Sequence, residues 1–196
     1  GSNIGIYTIF ALDLGAEVIA CEPDPHNYER LLEHLKINGY SARALNVAVA
    51  DKPGTFRFTQ GLDSYNHLVL DGATGGEIEV EAVTLDSILG DRHAKGVKID
   101  VEGAERLVLA GACRALAEQR IDVMQFEWAG WQIEGSQAGD LQSPIDLLRN
   151  AGYSLHRAGR DGNLTLLDDH VEPVDRTPAK DIFAVGQWVD VPRSPR

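Results

Sequence analysis

Residues 96 to 105 read Gly-Val-Lys-Ile-Asp-Val-Glu-Gly-Ala-Glu. A short β-branched run, Val97 to Val101, together with Glu102 just after it, carries a lysine and two carboxylates at alternate positions. Alternate side chains of an extended strand share a face, so Lys98, Asp100 and Glu102 are expected to point one way and Val97, Ile99 and Val101 the other. Three charges on one face of a strand entering a core require mutual pairing or a ligand. In a parallel sheet that face lies at the carboxyl end of the strand, where open α/β sheets bind ligands. The chemistry on offer is proton transfer. Asp100, kept ionised by Lys98, is the leading general base for a hydroxyl proton, with Glu102 second. Glu127, in Gln125-Phe-Glu-Trp128, is expected to project over the same edge. The plainer alternatives are a structural Lys98–Asp100 ion pair, a solvated strand end at Glu127, and a helix N-terminal charge at Glu105. Three carboxylates at adjoining strand ends could also hold a divalent cation, but no metal is assigned.

A second group of residues suits a ligand rather than a reaction. The chain opens Gly1-Ser-Asn-Ile-Gly5 and runs directly into a helical stretch. Glycines let a backbone approach a ligand at a helix N-terminus, where unpaired N–H groups face outward. An acid about 20 residues further on, at the end of the next strand, can accept both hydroxyls of a ribose. Glu22 stands in that place. A plain structural turn is the competing reading of the glycines alone. The spacing is neither Gly-x-Gly-x-x-Gly nor a phosphate loop with Gly-Lys-Ser/Thr, which favours a nucleoside ligand without a phosphate chain.

Four blocks, in order, carry a family resemblance: Gly1-Ser-Asn-Ile-Gly5, Glu22-Pro-Asp-Pro25, Asn46-Val-Ala-Val-Ala-Asp51 and Lys98-Ile-Asp-Val-Glu-Gly-Ala-Glu105. Together they resemble the FkbM family of S-adenosylmethionine-dependent methyltransferases, over roughly residues 1 to 127. The resemblance implies a Rossmann-like class I methyltransferase fold and O-methylation of a natural product, sugar or other small hydroxylated metabolite. It implies that Gly1, Asn3 and Gly5 lie under the methionine end of S-adenosyl-L-methionine. Glu22 would hold the ribose, Val47 and Ala48 would sit beside the adenine, and Asp100 would border both sulfonium and acceptor. The family pattern also places an acid two positions before the first glycine. A core strand ending in that acid is therefore expected upstream of Gly1, and restoring it is expected to raise stability and cofactor affinity.

The elements that must position these groups are short apolar runs alternating with helical stretches, the pattern of an α/β fold with a mostly parallel sheet and helices on both faces. Ile4 to Leu14 reads as a helix and Ala16 to Cys21 as a strand. Asp24-Pro25 starts the next helix, Asp as N-cap and Pro at the first position, with Tyr28, Leu31, Leu32 and Leu35 as its apolar stripe. Asn38-Gly39 stops it. Ala44 to Val49 is another strand. Thr55–Thr59 and Glu77–Val83 alternate strictly and flank a polar loop, Gly61 to Gly76, which predicts a β-hairpin-like insertion over 55–85 at the sheet edge. Val97 to Asp100 and Ile121 to Phe126 are core strands. Between them a helix over Ala104 to Ala117 is expected to present Leu109, Ala112, Cys113 and Leu116. Pro144 to Ala151 is helical, and Tyr153–Ala158 with Ile182–Val185 forms a closing antiparallel pair. One domain over 1–188 is expected, with a frayed tail from 189.

Composition excludes several classes. The chain has 196 residues and a formal net charge of −12, which argues against a nucleic-acid backbone or anionic membrane as main partner. No apolar run approaches a membrane span and no signal peptide opens the chain. Cys21 and Cys113 form no metal or redox motif and read as buried free thiols in a reducing cytoplasm. The six histidines form no ligand pattern and read as surface or capping residues, with His67 the one to test. Trp128 and Trp131 could wall an acceptor pocket or simply fill core. A nucleotide-dependent oxidoreductase is disfavoured by the short glycine spacing and by the charges on the Val97–Asp100 strand. A degenerate domain that only binds a partner is the non-enzymatic alternative.

Overall fold

The computed structural model describes residues 1–59, 67–68, 77–128, 144–159, 163–167 and 180–189. They fall into two compact units, Gly1–Thr84 and Leu85–Arg196.

The first unit holds helices α1 (Ile6–Asp13) and α2 (Pro25–Ile37) and strands β1 (Ile19–Cys21), β2 (Arg43–Leu45), β3 (Ala48–Val49), β4 (Gly54–Thr59) and β5 (Glu77–Val83). Helix α2 starts as its sequence demands: the Asp24 carboxylate accepts the His26 and Asn27 N–H groups at 2.8 and 3.1 Å, and Pro25 has no N–H to lose. It ends at Asn38, followed by Gly39 at φ 71°. Strands β1 and β2 pair in parallel. Ala20, Leu31 and Leu35 form a buried cluster, packed by Ile9 and Leu12 of α1 and by Tyr28, Tyr40, Ala42 and Ala44. Burying Leu31 completely contributes roughly 2 kcal/mol. Leu32, expected in the same stripe, is 42% exposed; the stripe that reaches the core is narrower than the sequence suggests.

The strand expected over Ala44–Val49 is two strands in two sheets. The break falls at Asn46, whose side-chain amide donates to the carbonyls of Glu22 at 2.8 Å and Pro23 at 3.1 Å. Strand β3 then joins a three-stranded sheet of order β3-β5-β4. Strands β4 and β5 pair antiparallel from Gly54–Ala82 to Thr59–Glu77, as the alternating runs predict. Strand β5 lies at the centre of its sheet, with β3 parallel on its other side. Most of the Gly61–Gly76 loop lies outside the described residues. His67 is within them, and its carbonyl accepts the Thr59 N–H at 3.0 Å.

The second unit holds α3 (Leu85–Leu89), β6 (Ala94–Ile99), α4 (Glu105–Ala110), α5 (Cys113–Ala117), β7 (Ile121–Trp128), α6 (Pro144–Asn150), β8 (Tyr153–Ala158), β9 (Leu164–Leu166) and β10 (Lys180–Gly186). Its five-stranded sheet has the order β6-β7-β10-β8-β9. Only β6 and β7 are parallel; β10 runs antiparallel to both β7 and β8, and β9 antiparallel to β8. The sheet is thus mixed rather than mostly parallel. The closing pair β8–β10 is present, and β9, only three residues long and so too short to stand out in the sequence, extends it. Ile99, Met124, Phe126, Leu155, Ile182 and Ala184 are buried. At the start of β7, Asp122 accepts from His93 at 2.7 Å, Lys95 at 2.9 Å and the Trp188 indole at 3.2 Å.

The single helix expected over Ala104–Ala117 is two. Asp86 explains the break: its carboxylate accepts the Arg114 and Ala115 N–H groups at 2.9 and 2.8 Å, and its own N–H donates to the Gly111 carbonyl at 2.9 Å. A carboxylate from another helix therefore caps α5, and the apolar face does not run continuously from α4. Leu109, Ala112 and Leu116 are buried as expected, but Cys113 is exposed and Cys21 half-buried, so neither thiol is the buried one its composition suggested. Among the described residues no helix is long and apolar enough to cross a membrane. Residues 190–196 of the expected tail lie outside the described residues.

Candidate functional site

Candidate groups occur in each unit. In the first, the loop Gly1–Gly5 packs against the end of β1. The Ser2 N–H donates to the Cys21 carbonyl and the Gly5 N–H to the Ser2 carbonyl, both at 3.0 Å. Asn3 has φ 48° and Gly5 φ 94°, left-handed conformations that asparagine and glycine adopt most readily. The Asn3 side-chain oxygen accepts the Ile4 N–H at 2.6 Å. A Cβ on Gly5 would overlap Leu31 Cδ1, so glycine is required there twice over, by its dihedral and by the approach of α2.

Glu22 lies just beyond β1, only 4% exposed. Its Oε2 accepts the Asn3 N–H at 2.7 Å and its Oε1 the Asp24 N–H at 3.1 Å. Burial pushes its carboxyl above the ordinary range, and these two N–H groups oppose that. A carboxylate oxygen has two lone pairs, so a group held by one N–H on each oxygen is still chemically equipped to accept a pair of ribose hydroxyls. This is where the sequence put a ribose-binding acid. Ala48 is buried in β3 and Val47 half-buried beside it; Gly1 is exposed at the mouth of the loop.

In the second unit, β6 ends at Ile99. Glu102 therefore does not share a strand face with Lys98 and Asp100, as alternation predicted; it sits in a turn at φ 51°, followed by Gly103 at φ 101°. The turn nevertheless delivers the expected grouping. Carboxylate oxygens of Asp100, Glu102 and Glu127 all lie within 4.8 Å of one another, and Lys98 Nζ meets Asp100 Oδ2 at 2.5 Å. Three such oxygens could present themselves to a cation. Glu127 stands opposite Asp181 across the β7–β10 ladder, and Gln125 donates to the Asp181 carboxylate at 2.9 Å. Burial raises the Glu127 carboxyl, Asp100 and Asp181 raise it further, and Lys98 opposes them. Nothing is placed here for the Trp128 side chain or for Trp131, which lie outside the described residues.

Glu105 is the residue the sequence undervalued. Read as a helix-end charge, it is 4% exposed. Its Oε1 accepts the Val101 N–H at 3.2 Å and the Gly103 N–H at 3.4 Å. Burial raises its carboxyl to about 7, against the pull of backbone N–H groups, with a smaller push from Glu127. The available signal was an acid placed on the first turn of a helix, directly after a glycine turn, where it can bend back toward preceding N–H groups.

The chain matches the family model described as "Methyltransferase FkbM domain" over residues 1–155. It belongs to the FkbM methyltransferase family, and its class is that of a methyltransferase. Comparison with curated proteins and with solved structures finds no match.

Proposed function

We propose that this domain is a Rossmann-like, S-adenosyl-L-methionine-dependent O-methyltransferase acting on a hydroxyl of a small metabolite, natural product or sugar. The observation that carries the reading is the buried Glu22 carboxylate seated against the Asn3 N–H of a glycine loop, in a chain of this family. Gly1, Asn3 and Gly5 take the amino-acid end of the cofactor, Glu22 the ribose, and Val47 and Ala48 the adenine. When bound, the cofactor supplies an activated methyl group on a sulfonium. Transfer is an in-line displacement, so alignment of the acceptor provides most of the acceleration. Asp100 takes the hydroxyl proton. Lys98 pairs with its Oδ2, which fixes the rotation of the carboxylate. Glu102 and Glu127 border the acceptor and are the next candidates for the base. The two unpaired cysteines suit a reducing compartment such as the cytoplasm, and the net charge of −12 suits a small acceptor rather than a nucleic acid.

Calorimetric titration with S-adenosylhomocysteine and, separately, NAD tests this. Binding of S-adenosylhomocysteine alone supports the reading. Binding of NAD instead would replace it with a nucleotide-dependent oxidoreductase, and binding of neither with a partner-binding module.

A further inference from the structure

We propose that His34 is a positioning residue for the cofactor loop, holding the Ile4–Gly5 peptide in its binding orientation through a hydrogen bond from its ring to the Ile4 carbonyl. The inference rests on the reading above that residues 1–5 receive the cofactor, and it adds a residue that no motif of the chain includes.

His34 lies in the last turns of α2, and its Nδ1 is 2.7 Å from the Ile4 carbonyl oxygen. A carbonyl oxygen only accepts. The ring therefore carries its proton on Nδ1, whether it is neutral or charged. The neutral ring leaves its lone pair on Nε2. One turn earlier on the same helix, Leu31 presses against Gly5. Residues three apart share a helix face, so α2 supports the loop from behind at two successive residues, one by packing and one by a polar bond.

The peptide joining Ile4 to Gly5 is the part of the loop most constrained by this arrangement. Its carbonyl is held by His34 and its N–H by the Ser2 carbonyl at 3.0 Å. Pinning both ends of one peptide plane fixes ψ of Ile4 and φ of Gly5. The residue before it is pinned as well: the Asn3 N–H is bound by Glu22 at 2.7 Å, and the Ile4 N–H by the Asn3 side chain at 2.6 Å. Asn3 at φ 48° and Gly5 at φ 94° are conformations a free loop would leave readily. Glu22 controls the loop from the strand side, and His34 controls it from the helix side. Without His34 the Ile4 carbonyl loses its partner and the peptide plane is held only through the Gly5 N–H on the Ser2 carbonyl. A ligand approaching the glycines would then meet a mixture of backbone orientations, and only part of the population would be competent to bind.

The test compares His34→Leu with His34→Asn in the full chain. The asparagine Nδ2 occupies the same bonded position as Nδ1 of the ring and restores a donor. We expect S-adenosylhomocysteine affinity by calorimetry to fall about tenfold in His34→Leu, more than the roughly fivefold of one net hydrogen bond, and to stay within about threefold of wild type in His34→Asn. Amide hydrogen exchange at Ile4 and Gly5 should quicken in the leucine variant only. A leucine variant that binds within twofold of wild type overturns the proposal, and so does an asparagine variant that loses as much as leucine, since shape would then matter and not the bond. If wild type itself fails to bind, the cofactor reading falls separately, and unchanged exchange at Gly5 in His34→Leu would still overturn the loop role. Should the leucine variant not fold, nitrogen-detected spectroscopy of the wild-type ring decides: a proton on Nδ1 supports the proposal and a neutral ring protonated on Nε2 overturns it.

Discussion

Glu105 reaches back from the first turn of α4 to accept the Val101 N–H at 3.2 Å, from a position only 4% exposed. With the Gly103 N–H on the same oxygen, it clamps the two amides that flank Glu102 at its φ of 51°. A buried acid thus shapes the turn that brings Asp100 and Glu102 toward Glu127.

This relationship makes stability pH-dependent in a defined direction. The Glu105 carboxyl is raised to about 7 from an ordinary 4.5, so the folded state holds a proton that the unfolded state has released. The resulting stability is complete below about pH 4.5 and is lost as pH rises through 7. Glu105→Gln keeps a carbonyl to accept the two N–H groups and cannot ionise. Urea unfolding should show the variant gaining on wild type by up to about 3 kcal/mol between pH 5 and 8. A stability difference that does not change with pH would mean that Glu105 does not titrate in this range.

Glu22→Gln is expected to weaken S-adenosylhomocysteine binding about tenfold or more, since bonds to a charged acceptor contribute about 1.5–3 kcal/mol each. The two backbone donors on Glu22 add a consequence. One end of the new amide must face an N–H with its own NH₂, so stability should also fall by about 1–2 kcal/mol. Calorimetry and urea unfolding on one preparation check both effects; intact affinity removes Glu22 from the site.

Gly5→Ala should cost about 2–3 kcal/mol. A left-handed φ of 94° accounts for about 1 kcal/mol, and the rest comes from displacing the fully buried Leu31 side chain. Adding Leu31→Val should recover part of the steric share but none of the dihedral share. Thermal unfolding of the single and double variants measures the split, and a fully additive pair would show that the two residues do not collide.

Once an acceptor is known, Asp100→Asn should lower single-turnover methyl transfer by about 10²–10⁴-fold with cofactor affinity within about threefold. Lys98→Met should also slow transfer, because Asp100 loses the ion pair that orients it. A rate for Asp100→Asn within threefold of wild type moves the base to Glu102 or Glu127.

Much of the fold was legible because its signals are local. Asp24-Pro25 and Asn38-Gly39 bound α2 through chemistry contained in a few residues. The register of β4 on β5 follows from two alternating runs. The misreadings have non-local causes. Asn46 breaks an apolar run because its amide finds the carbonyls of Glu22 and Pro23, more than 20 residues away in sequence. Asp86 divides one expected helix by capping Arg114 and Ala115. The acidic grouping was expected correctly but for a partly mistaken reason: alternation places Lys98 and Asp100, whereas Glu102 arrives by a left-handed turn that no periodicity encodes. Glu105 was read only as a helix-end charge, because its burial depends on the packing around α4, and His34 was passed over because its partner, the Ile4 carbonyl, lies 30 residues away in sequence.

The place of β10 in the second sheet has a consequence for how the protein is made. Strands β7 and β8 do not pair with each other; residues 180–186 lie between them and bond to both. A nascent chain emerging from the ribosome can therefore form the β6–β7 pair and the β8–β9 pair, but it cannot join them until the last of these strands has been synthesised. Until then two sheet edges stand open, and an open edge is a template for pairing with other chains. Ribosome-held chains stopped before residue 180 should be prone to aggregate and to recruit chaperones, and release from that state should coincide with the emergence of Lys180–Gly186.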